Sequence, residues 1–336
     1  MNFILLAFYS FSFLIIINFI LKNFNLLIDN KIYPHKKFAS KDKNVFISGG
    51  ILIFFFILFF SLDNLFIFYV GLVFILGIFS DLFFLKSPLV RIILQTIVVF
   101  FSVHFLNIEI LSTKNFVIDY LLNYKSFSLF FTTFCLLILM NGTNFIDGLN
   151  TLVVGYFLSV ISVLVYLYYT ISINLDFVYL INLFVVLIVI YFFNFFSKIY
   201  LGDSGALVLG YIMGVYLINF STNNINISPF FIALLLWYPA FENFFSIIRK
   251  ILFKTKPFHP DNFHLHQLVY SFFKKRIRRD NFIINSISAN IINFYNLIFF
   301  TVGINFIYSN KYLIYLIIIY SLNYIFLYYL LKKDKS

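Results

Sequence analysis

The run FVYLINLFVVLIVIYFFNFF (177–196) identifies the fold class of this chain, because it contains no charged residue. A helix of about 20 apolar residues crosses the hydrocarbon core of a bilayer. Similar runs recur from end to end, and lipid-exposed sheet edges are excluded, so we predict about eleven helical spans. They lie near residues 3–22, 45–61, 65–84, 89–108, 127–146, 149–169, 175–196, 205–220, 229–249, 282–306 and 312–331. The sequence therefore predicts an all-α polytopic membrane helix bundle, with one domain over residues 1–336.

The composition excludes a water-soluble fold. Of 336 residues, 62% are hydrophobic and 11% are charged. Too little polar surface would remain to face water if so much Phe, Ile and Leu were packed in a soluble domain. The single cysteine, Cys135, excludes an internal disulfide and is interpreted as a small packed residue.

The placement of Lys and Arg predicts the orientation in the membrane. With the N-terminus outside, 21 of the 24 basic residues lie on the cytoplasmic side, many of them in a basic loop at 250–281. The outside keeps Lys114, Lys125 and Lys311. The C-terminus is then cytoplasmic. The net charge of +11 is a positive-inside signal, and no nucleic-acid partner is expected.

Five acidic residues collect on the predicted cytoplasmic side, each in a different segment. They are Asp81, Asp147, Asp203, Glu242 and Asp261. Carboxylates at a membrane boundary are costly and are usually functional. Their convergence on one side predicts a single cytoplasmic site.

The segment NGTNFIDGLN (141–150) ends the fifth predicted span. Asn141, Asn144 and Asp147 recur every third residue, which places them on one helical face. Two amides and a carboxylate can bind sugar hydroxyls or the water shell of a metal. The alternative is a helix C-cap, but a cap needs one such residue rather than three. The pattern therefore favours a substrate site.

Two shorter segments each carry one acid. In LGDSG (201–205), Asp203 could ligate Mg²⁺ and the following amides could bind phosphate, although an N-capping Asp is the ordinary alternative. In SDLFFLKSP (80–88), Asp81 ends the third span, and alone it could be a solvated loop acid. Neither segment is decisive by itself.

The long basic loop RKILFKTKPFHPDNFHLHQLVYSFFKKRIRR (249–279) holds His264 and His266. A neutral His can bind a base or a phosphate oxygen, and Arg249 can bind phosphate through two nitrogens. The ligand spacing does not suit a structural zinc site. The six residues KKRIRR are interpreted as a membrane-surface stripe.

In their order along the chain, these segments resemble the polyprenyl-phosphate N-acetylhexosamine-1-phosphate transferases, which include the phospho-N-acetylmuramoyl-pentapeptide transferases. NGTNFIDGLN resembles the family's Asn-x-x-Asn-x-x-Asp-Gly motif, and LGDSG its metal-binding Gly-Asp motif. YPAFENFFSIIRK (238–250) and PDNFHLHQ (260–267) resemble its Pro-x-x-Asp/Glu and histidine motifs. The chain departs from the family at Ser80, where members have a first acid of a pair, and at Gln267 and Asn150.

The resemblance implies an enzyme of the cytoplasmic membrane with its site facing the cytoplasm. It would use Mg²⁺ to transfer a sugar-1-phosphate from a UDP-N-acetylhexosamine to undecaprenyl phosphate, releasing UMP, as the first step of a cell-envelope glycan. Asp203 is expected to be a metal ligand, and Asp81 its partner or a base. Asp147 is expected to be catalytic, and the expected substrate-binding residues are Asn141, Asn144, Glu242, Arg249, Asp261, His264 and His266. A transporter or an inactive scaffold, the latter suggested by Ser80, stays an alternative, and a homodimer is left open.

Overall fold

The computed structural model describes residues 3–29, 45–171, 173–252 and 263–335, which are helical almost throughout. The helices are α1 (Phe3–Phe24), α2 (Gly49–Phe60), α3 (Asn64–Asp81), α4 (Pro88–Phe105), α5 (Phe116–Leu122), α6 (Lys125–Ile146), α7 (Leu152–Thr170), α8 (Phe177–Phe195), α9 (Gly202–Asn223), α10 (Pro229–Leu235), α11 (Trp237–Leu252), α12 (Leu265–Arg276), α13 (Asn281–Ile304) and α14 (Asn310–Lys335). The strands are β1 (Ile28–Asp29), β2 (Val45–Ile47) and β3 (Ile199–Tyr200). The predicted all-α polytopic bundle is confirmed.

Nine of the described helices are long and apolar enough to cross a membrane, and this makes the chain a multi-pass membrane protein. They are α1, α3, α4, α6, α7, α8, α9, α13 and α14. Two predicted spans differ from these nine. The second, predicted at 45–61, is the strand β2 followed by a helix of only 12 residues. The ninth, predicted at 229–249, consists of α10 and α11, which are bent by 71° relative to each other.

The bend between α10 and α11 has a covalent cause in Pro239. Proline has no amide hydrogen, so it cannot donate to the carbonyl four residues earlier. That carbonyl belongs to Leu235, and it accepts a hydrogen bond of 2.7 Å from the Tyr156 hydroxyl instead. The broken span therefore keeps its backbone oxygen satisfied while it changes direction.

The three strands form a small sheet in the order β1-β2-β3. β1 pairs antiparallel with β2, placing Ile28 opposite Phe46, and β2 pairs parallel with β3, placing Phe46 opposite Ile199. The sheet thereby joins the segment that follows α1 to the segment that precedes α9. It was not predicted, because strands of two or three residues carry no periodic signal.

Burial identifies α9 as the central helix. In its most apolar window 78% of the residues are buried inside the protein, compared with 22% for α1 and for α14. The outer helices expose large apolar side chains such as Phe19 and Phe326, at 65% each. Lipid accounts for that exposure, because hydrocarbon solvates such side chains.

The helix ends define two faces of the bundle. Hydrogen bonds join the C-terminal end of α3 to the N-terminal end of α9, and the turn after α6 to the loop after α8 and to α13. We name the face that contains these ends the site face, and the opposite one the far face. α1 begins at the far face and α14 ends at the site face, beside α12. Which face meets the cytoplasm stays a prediction from the charge distribution.

Candidate active site

The carboxylate of Asp81, the last residue of α3, caps the first turn of α9. Its Oδ1 accepts a hydrogen bond from the Asp203 amide at 2.8 Å, and its Oδ2 accepts one from the Ser204 amide at 3.0 Å. Asp81 is buried, with 8% of its surface exposed. Unpaired amides and the helix dipole stabilise negative charge at a helix N-terminus. Asp81 therefore positions the backbone that carries Asp203.

Gly202 allows this approach between α3 and α9. Its φ of +76° lies in the left-handed region that favours glycine. A Cβ at Gly202 would lie 2.3 Å from a methyl carbon of Ile47 and 2.9 Å from Oδ2 of Asp81. The backbone therefore occupies the space that a side chain would need. Asp203 lies in the first turn of α9 and is not its N-cap, a position held by Leu201.

The side chain of Asp203 meets Ser80 and Arg91 in a triangle. Its Oδ2 accepts a hydrogen bond from the Ser80 hydroxyl at 2.5 Å and forms an ion pair with Nη1 of Arg91 at 3.0 Å. Nη1 of Arg91 also donates to the Ser80 hydroxyl at 3.0 Å. The Asp203 and Arg91 side chains are 26% and 21% exposed, so solvent and substrates can reach both. Ser80, the departure from the family pattern, is thus bonded directly to the predicted metal ligand.

Arg91 has capacity left to bind an anion. Its Nε is buried and has no hydrogen-bond partner among the described residues. A guanidinium binds phosphate through two parallel N–H groups, and a buried N–H without a partner is costly. Because the side chain as a whole is partly exposed, its positive charge can still stabilise a phosphate at the site face.

A polar stripe on α4 links this triangle to the motif at the end of α6. Arg91 and Gln95 lie one turn apart on the same face of α4. Oε1 of Gln95 accepts a hydrogen bond of 3.0 Å from the Asn141 side chain, which also donates to the Leu137 carbonyl. The two helices run in opposite directions, so Asn144, one turn beyond Asn141, lies near the depth of Arg91. Asn141 thus joins α6 to α4. Asn144 lies one turn nearer than Asn141 to the site face, where Asp81 and Asp203 lie.

Buried amides hold the turn that follows α6. Asp147 is half-buried at the C-cap of α6. The amide of Asn150 donates to Oδ1 of Asn285 at 2.6 Å, and the amide of Thr151 donates to Oδ1 of Asn194. Nδ2 of Asn194 donates to the Ile199 carbonyl of β3 at 2.8 Å. Asn194 therefore ties the turn that carries Asp147 to the strand that leads to Asp203.

Glu242 and His264 form a second, histidine-containing cluster. Glu242 on α11 is 1% exposed, and its Oε1 lies 2.8 Å from Nδ1 of His264. Its Oε2 accepts a hydrogen bond from the hydroxyl of Tyr324 on α14 at 2.5 Å. The carboxylate accepts at Oε1, so Nδ1 of His264 carries a proton. The ring of His266 stacks on that of His264, with centroids 5.5 Å apart.

The turn after α6 also contacts the histidines. The Phe145 ring lies 6.1 Å from the His264 ring. His266 packs on Gly148, where a Cβ would lie 2.3 Å from its Nε2. The end of α6 therefore touches the histidine cluster, while its preceding turn touches α4. Through α6, the acids of α3 and α9 and the histidines before and in α12 belong to one site face.

The contacts described above do not include two predicted site residues, Arg249 and Asp261. Arg249 is 7% exposed, donates a long hydrogen bond of 3.4 Å to the Ser246 hydroxyl, and lies 5.8 Å from the Tyr328 ring centroid. The Arg249 side chain thus packs between its own helix, α11, and α14. Asp261 lies outside the described residues, and its role stays a prediction.

The family model described as glycosyl transferase family 4 matches residues 64–221. This range is 158 of the 336 residues, just under half of the chain. The matched range runs from α3 to α9 and contains Asp81, Arg91, Asp147 and Asp203. The resemblance derived from the motifs is confirmed. Glu242 and the histidine pair lie beyond the matched range.

Two curated relatives agree with the family. One is named a probable undecaprenyl-phosphate N-acetylglucosaminyl 1-phosphate transferase of Bacillus subtilis and is 32% identical over 136 residues, or 39% of this chain and 37% of that protein. The other is named an undecaprenyl-phosphate alpha-N-acetylglucosaminyl 1-phosphate transferase of Thermotoga maritima and is 24% identical over 224 residues, or 66% of each chain. The chain thus spans less than two thirds of the length of either relative.

Residues that sequence reasoning missed, and that the structure brings to the site, include Arg91, Asn194 and Tyr324. Arg91 was counted only as a cytoplasmic cation, although a charge inside the first turn of a predicted span is itself a functional signal. Asn194 and Tyr324 had no such signal. Both lie in apolar runs, and only the packing of their helices shows what their side chains contact.

Proposed function

We propose that this chain transfers an N-acetylhexosamine-1-phosphate from a UDP-sugar to undecaprenyl phosphate. An oxygen of the lipid phosphate attacks the phosphorus bonded to the sugar, and the bond from that phosphorus to the bridging oxygen breaks. UMP leaves with the bridging oxygen, and the product is a lipid diphosphate sugar. The match to glycosyl transferase family 4 over residues 64–221 and the names of both relatives support this reaction.

The observation that carries the proposal is the meeting of Asp81, Asp203 and Arg91 from three helices. Two phosphate anions repel one another, so a site that joins them must supply positive charge. Arg91 supplies one cation, held in place by Ser80 and Asp203. Its charge would stabilise an oxygen of the donor diphosphate or of the lipid phosphate.

The carboxylates present fit a magnesium ion. Mg²⁺ is usually held by one or two carboxylates together with substrate phosphates and waters. Each oxygen of Asp81 and Asp203 has two lone pairs, so the hydrogen bonds described above leave acceptor capacity on both. Asp203 and Asp81 would hold the ion. When bound, Mg²⁺ would neutralise phosphate charge and so stabilise the transferring phosphoryl group.

The histidine cluster supports a role in binding the donor. Glu242 holds Nδ1 of His264, and stacking aligns His266 with it. Asn144 and Asp147 lie at the end of α6, between that cluster and Asp81 and Asp203, where they would contact the sugar carried by the phosphorus that the lipid phosphate attacks. The site face is proposed to be cytoplasmic, since UDP-sugars are cytoplasmic and the basic residues favour that side.

Transfer of label tests the proposal. Membranes that contain the chain are incubated with UDP-N-acetylglucosamine labelled in the sugar phosphate, Mg²⁺ and undecaprenyl phosphate. We expect label in the organic phase, dependent on added undecaprenyl phosphate and abolished by a chelator. Asp203→Asn is the inactive control. Label that stays in water for each UDP-N-acetylhexosamine, at verified membrane insertion, would refute the reaction, and uptake of label into sealed vesicles would indicate a transporter.

A further inference from the structure

An apolar cavity opens between α6, α9 and α10, away from the candidate active site. Its volume is about 320 Å³, which lies in the range of roughly 300–1,000 Å³ of ligand pockets. Its wall includes Phe131, Cys135 and Leu139 of α6, Leu217 of α9, Ala233 of α10, and Leu236 at the C-cap of α10. The cavity lies beside the 71° bend, because α10 and α11 do not continue in one line along α6.

Backbone contact between α6 and α11 lies between the cavity and the site face. Gly142 on α6 lies directly against Pro239 on α11, and a Cβ at Gly142 would lie only 2.2 Å from the Pro239 carbonyl oxygen. Leu139, one turn before Gly142, is the last α6 residue that lines the cavity. Backbone contact therefore separates this space from Asp81 and Asp203. A lipid whose phosphate reacts at the site face does not reach the cavity along this path.

The rim at the far face is polar, and hydrogen bonds connect its residues. Ser112, Thr113 and Lys114 line it. The carboxylate of Asp119 accepts hydrogen bonds from the Ser112 hydroxyl at 2.7 Å and from the Thr113 amide at 2.6 Å. Burial would raise the pKa of Asp119, but hydrogen bonds from Ser112 and Thr113 outweigh it and lower that pKa. Both carboxylate oxygens of Asp119 are thus hydrogen-bonded to the loop that contains Ser112 and Thr113.

Lys114 makes no ion pair with any residue that the structure describes. By contrast Lys125, on the same face, pairs with Glu109 at 3.4 Å. The ammonium of Lys114 is exposed at the rim of an apolar cavity, and this combination complements a lipid with a charged phosphate and a hydrocarbon chain. An empty apolar space beside the bilayer would lose dispersion contacts on its walls.

We propose that this cavity binds one acyl chain of an anionic phospholipid from the leaflet at the far face, with the phosphate beside Lys114. The lipid fills the space beside the broken span and links α6 to α10. The site is independent of the proposed transfer reaction, because it lies at the opposite end of the bundle from the acids. It assigns a ligand to a region where no catalytic group lies.

Photo-crosslinking tests this site in the full chain. The protein is reconstituted in phosphatidylcholine vesicles that contain phosphatidylglycerol with a diazirine in one acyl chain, and crosslinked peptides are mapped by mass spectrometry. We expect labelling concentrated on residues 131–139 of α6. Ala233→Phe, which fills an exposed position of the wall, should reduce that labelling several-fold. Val302→Phe, at a 38% exposed position on α13, is the matched control and should leave it unchanged.

Two further arms distinguish the lipid source. Diazirine-labelled phosphatidylcholine at the same mole fraction should label residues 131–139 less than phosphatidylglycerol does, and Lys114→Gln should remove that preference. A diazirine-labelled polyprenyl phosphate should label them weakly. Stronger labelling by the polyprenyl phosphate, or labelling no greater than on the exposed face of α1, would overturn the proposal.

A measurement on the wild-type chain avoids dependence on folding of the variants. Cys135 is the single cysteine and lines the cavity. In detergent micelles, added phosphatidylglycerol should slow alkylation of Cys135 by an apolar maleimide. An unchanged rate at saturating lipid would contradict occupancy of the cavity.

Discussion

Asp81 and Asp203 lie at the ends of two membrane-spanning helices, whereas His264 precedes a short helix at the site face. The acids depend on one another, because Asp81 caps the helix that carries Asp203 and Asp203 holds Arg91. His264 depends on one buried carboxylate, Glu242, which Tyr324 supports from the last helix. In the first cluster Asp81, a proposed metal ligand, also builds the fold, and in the second a buried glutamate orients His264. Substitutions in the two clusters should therefore differ in whether they lower the stability of the fold together with the transfer activity.

Asp81→Asn should have the largest combined effect. An amide keeps the shape but loses the charge, and its NH₂ group cannot accept from the amide of Asp203 or Ser204. We expect transfer to fall about a hundredfold or more, and the free energy of unfolding to fall by about 2 kcal/mol. Transfer is measured in membranes matched for protein, and unfolding in detergent by heating.

Asp63→Asn is the control for Asp81→Asn. Asp63 caps α3 at the far face, where it accepts hydrogen bonds from the amides of Leu65 and Phe66. Because Asn caps a helix N-terminus about as well as Asp, Asp63→Asn should change stability little and leave transfer intact. Retained transfer in Asp81→Asn would show that this carboxylate only caps α9.

Asp203→Asn should abolish transfer while changing stability little. Its ion pair with Arg91 is partly exposed, and such pairs contribute about 0–1 kcal/mol. The loss of activity should be about a hundredfold or more at every Mg²⁺ concentration tested. The two variants together test how the two carboxylates differ. Asp81→Asn should lower both transfer and stability, whereas Asp203→Asn should lower only transfer. Equal destabilisation in both would remove that distinction.

Glu242→Gln should weaken use of the donor more than use of the lipid. The amide replaces a charge-assisted hydrogen bond to His264, a loss of about 1.5–3 kcal/mol, or roughly 10–150-fold in the specificity constant for the UDP-sugar. Tyr324→Phe, which leaves the carboxylate in place, should give a smaller change of the same kind. Equal effects on both substrates would indicate a structural role for the histidine cluster.

Ser80→Ala should have the smallest effect. Asp203 keeps its ion pair with Arg91 when the Ser80 hydroxyl is lost. We expect a cost of about 0.5–1.5 kcal/mol, up to roughly tenfold in the initial rate. A loss as large as that of Asp203→Asn would show that Ser80 is indispensable to the triangle. An inactive native chain that becomes active with Ser80→Asp would instead indicate a degenerate family member.

The eleven apolar segments and the order of the motifs could be predicted because both are local properties of the chain. Hydropathy sums over neighbouring residues, and each motif lies within about ten positions. The short strands and the bend at Pro239 were missed because they interrupt apolar runs that read as continuous. The predicted roles of Asp147 and Asp261, and the magnesium site, stay predictions.

The sequence by itself determined that this chain crosses the membrane many times and carries acids and histidines toward one side. Only the tertiary structure decided which of them meet. Arg91 reaches Asp203 across 112 positions of the chain, and Tyr324 reaches Glu242 across 82. Such contacts depend on how helices pack, and packing is set by shape and close approach that no local pattern records. For that reason Ser80, which in the sequence is only a missing acid, is in the folded chain a partner of both Asp203 and Arg91.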